Sequence, residues 1–233
     1  MNALLYHGTT DKHLDRILSH GLKPRGKRRK GNWDSYPSHP DFVYLSTAYS
    51  PYFAWNATDD NKGEKALVVE VDSRLLAETR LFPDEDFVAQ VISKTEGRPL
   101  DEVHPKVRDT ILYYGDLAQA SIEHLGNVAH RGDVPVEAIT RYATIDLGKQ
   151  MDLAWACMDP SISLTNYRIC GNKYRSIIAW IFGDRSDFDV GSGMPNEQYL
   201  PMIEQLQPGY SDSVRRVWQN RDGIEVVSLS KAI

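Results

Sequence analysis

The chain has 233 residues, of which 41% are hydrophobic and 25% are charged, and its net charge is −5. This composition is typical of a folded protein whose core needs no disulfide bonds. The acidic net charge argues against a protein whose whole surface binds nucleic acid. Cys157 and Cys170 are isolated and match no metal-ligand spacing, so we expect a reducing compartment and no metal site.

The sequence contains no signal for a membrane. No apolar run approaches the roughly 18 residues that a membrane-spanning helix requires. The N-terminus also lacks the basic and then apolar pattern of a secretory leader. We therefore expect a cytoplasmic protein without a membrane partner.

The first quarter of the chain predicts two short strands separated by a helix and a long loop. The strands are predicted over residues 3–6 and 42–47, and both are β-prone and apolar. Apolar residues recur at helical spacing between them, and Gly21 is a natural residue for ending that helix. Residues 23–41 are rich in proline, glycine and basic residues, which indicates a functional or mobile loop.

The middle of the chain alternates predicted helices and strands. In chain order these are a helix over 50–57, a strand over 66–72, helical structure over 101–125, and strands over 126–131 and 140–146.

The pattern changes after Gly148. Helix-like stretches cover 173–182, 197–206 and 212–219, and a final strand is predicted from Ile224. We predict a core over residues 1–148 and a mostly helical extension, residues 149–233, packed on it.

Three segments in order carry a family resemblance. They are Tyr6-His7-Gly8-Thr9, then Ile17-Leu18 with Gly21-Leu22, then Val43-Tyr44-Leu45-Ser46 with Ala54 after it. This set resembles the ADP-ribosyltransferase superfamily, in the His-Tyr-acid branch that includes poly-ADP-ribose polymerases and rifamycin ADP-ribosyltransferases. The resemblance covers roughly residues 3–146. It implies an α+β fold, a split β-sandwich with flanking helices, and transfer of ADP-ribose from NAD+ with release of nicotinamide.

The resemblance also implies roles for individual residues around NAD+. His7 would bind the adenosine ribose, Gly8 would let the backbone approach the nicotinamide amide, and Thr9 would support that turn. Tyr44 would stack on the nicotinamide ring. A second aromatic face would come from Tyr52 or Trp55.

The catalytic acid has several candidates. Cleavage of the glycosidic bond builds positive charge on the ribose, and a nearby carboxylate stabilises that charge. The strand at 126–131 has no glutamate at its start, where the family pattern is clearest. The cluster Asp84-Glu85-Asp86 follows the 66–72 strand, and we favour Glu85, then Asp86 and Asp84. Glu123 is a reserve.

A dense basic run, residues 23–30, indicates the class of molecule that would accept the ADP-ribose. It follows the first helix and would border the NAD+ cleft. Six cations there, with an aromatic residue nearby, can bind phosphates and stack a base. We therefore expect a nucleic-acid acceptor, RNA or single-stranded DNA, as in a toxin or phage-defence enzyme. The expected acceptor-binding residues are Arg25, Lys27, Arg28, Arg29 and Trp33.

Other interpretations stay open. The acceptor can be a protein, or the chain can be an NAD+-dependent RNA 2′-phosphotransferase. The missing glutamate also fits an inert nucleotide- or RNA-binding module. Residues 149–233 can cover the core, recruit the acceptor, or bind an antitoxin or chaperone.

Overall fold

The computed structural model describes residues 4–26, 37–157, 162–191 and 193–229. Its strands are β1 (Leu4–Thr10), β2 (Phe42–Ser46), β3 (Ala66–Asp72), β4 (Leu81–Pro83), β5 (Asn127–Arg131), β6 (Ile139–Ile145) and β7 (Ile224–Ser228). Its α-helices are α1 (Leu14–His20), α2 (Ser50–Ala57), α3 (Glu85–Glu96), α4 (Leu100–Thr110), α5 (Ala118–Leu125), α6 (Met151–Cys157), α7 (Leu164–Ile181), α8 (Asn196–Leu206) and α9 (Tyr210–Gln219). In the described part of the chain, no helix combines the length and apolar character needed to cross a membrane.

The strands form one antiparallel sheet in the order β4-β5-β2-β1-β3-β6-β7. Every residue of β1 has a partner in β3, but β1 and β2 share the single pair Tyr6 and Ser46. We call this junction of β1 and β2 the seam. Beyond that pair the two strands diverge, so the sheet opens at the seam into two halves.

The strand β3 is buried on both faces, which accounts for the near-continuous apolar run in its sequence. Ala66 and Val68 belong to a core cluster shared with α2, α6 and α7. Leu67 and Val69 belong to a second cluster, which includes Ile17 of α1. A third cluster packs α3, α4 and α5 against β2 and β5. The first cluster lies on the β3 side of the seam and the third on the β2 side, while the second cluster spans the seam, since it joins Leu5 of β1 to Leu45 of β2.

The α+β class and most of the predicted elements agree with the structure. The resemblance implies a split β-sandwich, whereas the structure shows only that the sheet is mixed with helices and opens at the seam. The structure has an open seven-stranded sheet in its described residues, divided at the seam. The predicted boundary at 148 falls between β6 and α6. However, β7 returns to pair with β6, so part of the C-terminal segment completes the core sheet.

Candidate active site

His7 bridges the seam where the backbone ladder stops. Its Nδ1–H donates to the backbone carbonyl of Tyr44 at 2.9 Å, between strands that no longer pair there. Because a carbonyl oxygen can only accept, this bond fixes the proton on Nδ1 and leaves Nε2 as an acceptor. Burial lowers the pKa of His7, and the hydrogen bond to Tyr44 opposes that shift. His7 therefore offers a neutral imidazole whose Nε2 can accept a hydrogen bond from a hydroxyl group.

Glu85 lies against Tyr44 because of the strand order. β5 lies between β4 and β2, and its Val128 pairs with Pro83 on one side and Leu45 on the other. Helix α3 begins directly after β4, so its first residue, Glu85, reaches across one strand to Tyr44. The Tyr44 hydroxyl lies 2.6 and 2.7 Å from the two carboxylate oxygens of Glu85.

The backbone of His39 completes this pair. Its N–H lies 2.7 Å from the Tyr44 hydroxyl oxygen and 3.1 Å from Glu85 Oε1. Burial raises the pKa of Glu85, and the Tyr44 hydrogen bond works in the opposite direction. Burial, followed by the charge of Glu85, also raises the pKa of Tyr44 well above its ordinary value. The tyrosine therefore stays protonated and donates to the carboxylate.

Two further acids surround the start of α3. The Asp84 side chain caps the helix by accepting from the Asp86 backbone N–H at 2.9 Å. Burial raises the pKa of Asp84 well above its ordinary value, and the charges of Asp86 and Glu85 add to this effect. Asp86 is the most open of the three, with 42% of its side chain exposed, and it lies 2.8 Å from Nε2 of buried His104. The acids thus differ in burial and in partners.

Two cavities adjoin at His7, Gly8, Ser38 and Tyr44. The inner cavity, of about 120 Å³, is lined by aromatic side chains and by acceptors, among them Phe53, Asp84, Glu85, Asp86 and Asn127. The outer cavity, of about 330 Å³, is lined by cations, namely Lys12, Arg16, Lys23 and Arg25, and by Thr9. One continuous site therefore has an acidic aromatic end and a basic end.

The basic residues of the outer cavity differ in how far they are engaged. Lys12 pairs with Glu64, and Lys23 pairs with Asp133. Arg16, which is exposed on α1, makes no hydrogen bond or ion pair with another described residue. It is therefore the cation best placed to receive a ligand phosphate.

The structure gives a different reason for glycine at position 8. A Cβ built on Gly8 would lie 2.0 Å from the Ser50 carbonyl oxygen and 2.6 Å from the Ala54 nitrogen. Helix α2 therefore packs directly on the β1 backbone, too close for any side chain at this position. The glycine is required for packing, and its backbone also lines both cavities.

The two residues predicted for a second aromatic face do not line the cavities. Neither Tyr52 nor Trp55 lines the inner or the outer cavity, whereas Phe53 lines the inner one. Successive helical residues point about 100° apart, so Tyr52 and Trp55, three positions apart, lie near one another on one face of α2 and Phe53 points in a different direction. Trp55 instead packs against the cluster around α7.

The other predicted residues divide into those that line a cavity, those that do not, and those outside the described residues. Glu123 is exposed on α5, accepts a hydrogen bond from Gln119, and lines neither cavity. Arg25 lines the outer cavity and donates to the Ser38 carbonyl at 2.5 Å. The remaining predicted acceptor-binding residues, Lys27, Arg28, Arg29 and Trp33, lie outside the described residues.

Several site residues escaped the sequence reasoning. In the sequence, nothing distinguishes Phe53 and Arg16 from other residues of predicted helices, and the direction of each side chain depends on the phase of its helix. Asn127 had a weak signal, because it occupies the strand start where an acid was sought. His39 acts through its backbone N–H, which no sequence pattern reveals.

Comparisons with known proteins add little. No protein-family model matches the chain, and no curated protein matches it. Among solved structures, EcPltA is similar with a TM-score of 0.37 and 10% identity, over 62% of this chain and 76% of that chain.

Proposed function

We propose that this protein is an NAD+-dependent ADP-ribosyltransferase. The observation that carries the proposal is the pair of adjoining cavities with opposite chemistry. NAD+ has an anionic pyrophosphate and a cationic pyridinium ring, and the two cavities offer cations and acids in the matching order. Sites that bind a ligand by complementary charge at both ends also fix its direction.

The outer cavity would hold the adenosine diphosphate half. Arg16 is available for a phosphate, and Lys12 and Lys23 add positive charge at the same wall. The free Nε2 of His7 would accept a hydrogen bond from a ribose hydroxyl, because its Nδ1 is already committed to Tyr44. His7 would thus anchor the sugar at the junction of the two cavities.

The inner cavity would hold the nicotinamide ring. Tyr44 and Phe53 supply aromatic surface, and a cationic ring is attracted to the face of an aromatic side chain. Its volume of about 120 Å³ fits one small ring rather than a whole nucleotide.

Glu85 is the acid best placed for catalysis. When bound, NAD+ supplies a C1′–N bond that breaks with its electron pair leaving on nicotinamide, while the acceptor nucleophile forms the new bond to C1′. The buried carboxylate of Glu85, fixed by Tyr44 and His39, would stabilise the positive charge that develops on the ribose. Asp86, the more exposed acid, would take the proton that the acceptor loses.

A nucleic acid is the acceptor class that we favour. A third cavity of about 440 Å³, lined by Arg25, His39 and Arg108 among others, adjoins the outer cavity at Arg25. In this cavity Arg108 pairs with Asp109, and Arg25 donates to backbone carbonyls. Arginines in a groove beside the site suit a phosphate backbone, as expected for an RNA- or single-stranded-DNA-modifying toxin or phage-defence enzyme.

The test follows labelled NAD+. The purified protein is incubated with NAD+ carrying label in its adenine, together with total RNA, single-stranded DNA or protein lysate, and both nicotinamide release and label transfer are measured. We expect release and label in nucleic acid, and loss of both in His7→Ala and Tyr44→Ala. Label confined to protein would refute the nucleic-acid acceptor. Binding of NAD+ without release under any condition would instead favour the inert-module alternative.

A further inference from the structure

Asn127 is a buried polar residue whose hydrogen bonds are incomplete. It is the first residue of β5, it is 3% exposed, and it lines the inner cavity. Its Oδ1 has no hydrogen-bond partner among the described residues. Buried amide oxygens are nearly always paired in folded proteins, and leaving one unpaired is costly. An unpaired acceptor at the wall of a cavity therefore points to a ligand that donates to it.

A neighbouring acid accounts for the state of this amide. The Asn127 side chain faces Asp84, and its interaction lowers the pKa of the Asp84 carboxyl against the larger raising effect of burial. An interaction that lowers this pKa favours the charged carboxylate, which can only accept, so the NH2 group of Asn127 is the end that faces Asp84. The donor end of the amide is thus engaged by the protein, and the acceptor end is left over.

The rest of the inner cavity restricts what the ligand can be. Glu85, Asp84 and Asp86 contribute acceptors and negative charge, while Phe53 and Tyr44 contribute aromatic surface. A ligand with a carboxylate would meet three acids and the unpaired Asn127 oxygen. A flat ring with an N–H donor would satisfy the same groups.

We propose that Asn127 accepts a hydrogen bond from the primary carboxamide of the ring held in the inner cavity, and so selects a pyridine carboxamide over the corresponding pyridine carboxylate. The proposal rests on the proposed function, since it takes that ring to be the nicotinamide of NAD+. It adds a ligand-binding residue and a specificity to that site.

The experiment measures binding by calorimetry for two ligands: NAD+, and its analogue in which a carboxylate replaces the carboxamide. For the wild-type protein we expect binding of NAD+ to be about a hundredfold tighter than that of the carboxylate analogue, because like charges and an unpaired acceptor reject it. Asn127→Ala should bind NAD+ about tenfold more weakly, as expected for one lost hydrogen bond. Its preference for NAD+ over the analogue should shrink by about the same factor.

Two variants control for misfolding. Asn127→Leu removes the acceptor while filling the volume, and it should reproduce the effect of Asn127→Ala. Asn56→Ala removes an exposed amide on α2 that bonds to the Tyr52 carbonyl and lines neither cavity, so it should bind both ligands as the wild type does. Circular dichroism checks that each variant is folded.

The outcomes separate the two proposals. If the wild type binds NAD+ and both Asn127 variants keep its affinity and its preference, the role of Asn127 is refuted while the proposed function stands. Loss of affinity without any change in preference also refutes the selection. If the wild-type protein does not bind NAD+ at all, both proposals fail together.

Discussion

Replacing Glu85 by glutamine separates catalysis from folding at this site. If the buried carboxylate stabilises positive charge on the ribose, Glu85→Gln should slow nicotinamide release by about 10²–10³-fold, which corresponds to about 2.7–4 kcal/mol of lost transition-state stabilisation. Glutamine keeps the size and one acceptor oxygen but carries no charge. The measured quantity is the rate of nicotinamide release at saturating NAD+.

The structure indicates a smaller effect on stability. Glu85 accepts from the Tyr44 hydroxyl at 2.6 Å and from the His39 N–H at 3.1 Å, and glutamine can still accept from one of these donors. The lost charge-assisted bond and the relieved burial of a charge act in opposite directions, so we expect the free energy of unfolding to change by only about 1 kcal/mol. A variant that is folded but inactive is therefore the expected product.

The pH dependence of the rate gives a second test of the role of Glu85. Burial raises the pKa of Glu85, so the wild-type rate should fall as the pH drops through that raised value and the carboxylate is protonated. Glu85→Gln cannot titrate and should lack this acid limb in its residual rate.

Glu123→Gln is the matched control, because Glu123 is exposed on α5 and remote from both cavities. Its rate should stay within about twofold of the wild type, as expected for a surface change. The reasoning is refuted if folded Glu85→Gln keeps more than about a third of the wild-type rate, since so small a loss excludes electrostatic stabilisation by this residue.

The remaining predictions concern packing, helix capping and the outer cavity. Gly8→Ala should destabilise the protein by about 1–3 kcal/mol in denaturant unfolding, because its Cβ would overlap α2. Gly115→Ala is the control, since its Cβ would lie 3.6 Å from the nearest atom, and it should cost much less. Equal losses of stability in the two variants would contradict the packing argument. Asp84→Asn keeps the helix cap but removes the carboxyl with the raised pKa. In the wild type, protonation of that carboxyl stabilises the fold fully at a pH below its ordinary pKa of 3.8, and this stabilisation is lost as the pH rises through the raised pKa. Urea titrations from about pH 4 to pH 8 should therefore show a smaller decline for this variant than for the wild type, and parallel curves would refute the assignment. Arg16→Glu should raise KM for NAD+ about tenfold at low salt and less at high salt, and a salt-independent KM would exclude a charge interaction with phosphate.

Much of the fold is legible in local sequence patterns. The apolar run of β3, the periodicity of α1 and the glycine at its end predict their elements because local propensity and burial agree there. The pair His7 and Tyr44 was also predicted from order and spacing, and the structure joins them by a hydrogen bond across 37 residues.

The directions of two sets of side chains could not be predicted, for particular physical reasons. Tyr52 and Trp55 were expected to line the site, and Phe53 lines the inner cavity instead, because the phase of a short helix with a weak apolar pattern is set by what it packs against. Gly8 was explained by a ligand, although the backbone of α2 already requires it. Side-chain direction in both cases depends on neighbours that are remote in sequence.

The sequence by itself determined the α+β class, the order of the strands along the chain, and a histidine and a tyrosine in two short β-prone segments. Only the tertiary structure decided which acid meets that tyrosine. Glu85 lies 41 residues from Tyr44 in sequence, and the contact exists because β5 places the start of α3 one strand away from β2. Strand register is a property of the whole sheet, so the charge at the site cannot be read from either segment alone.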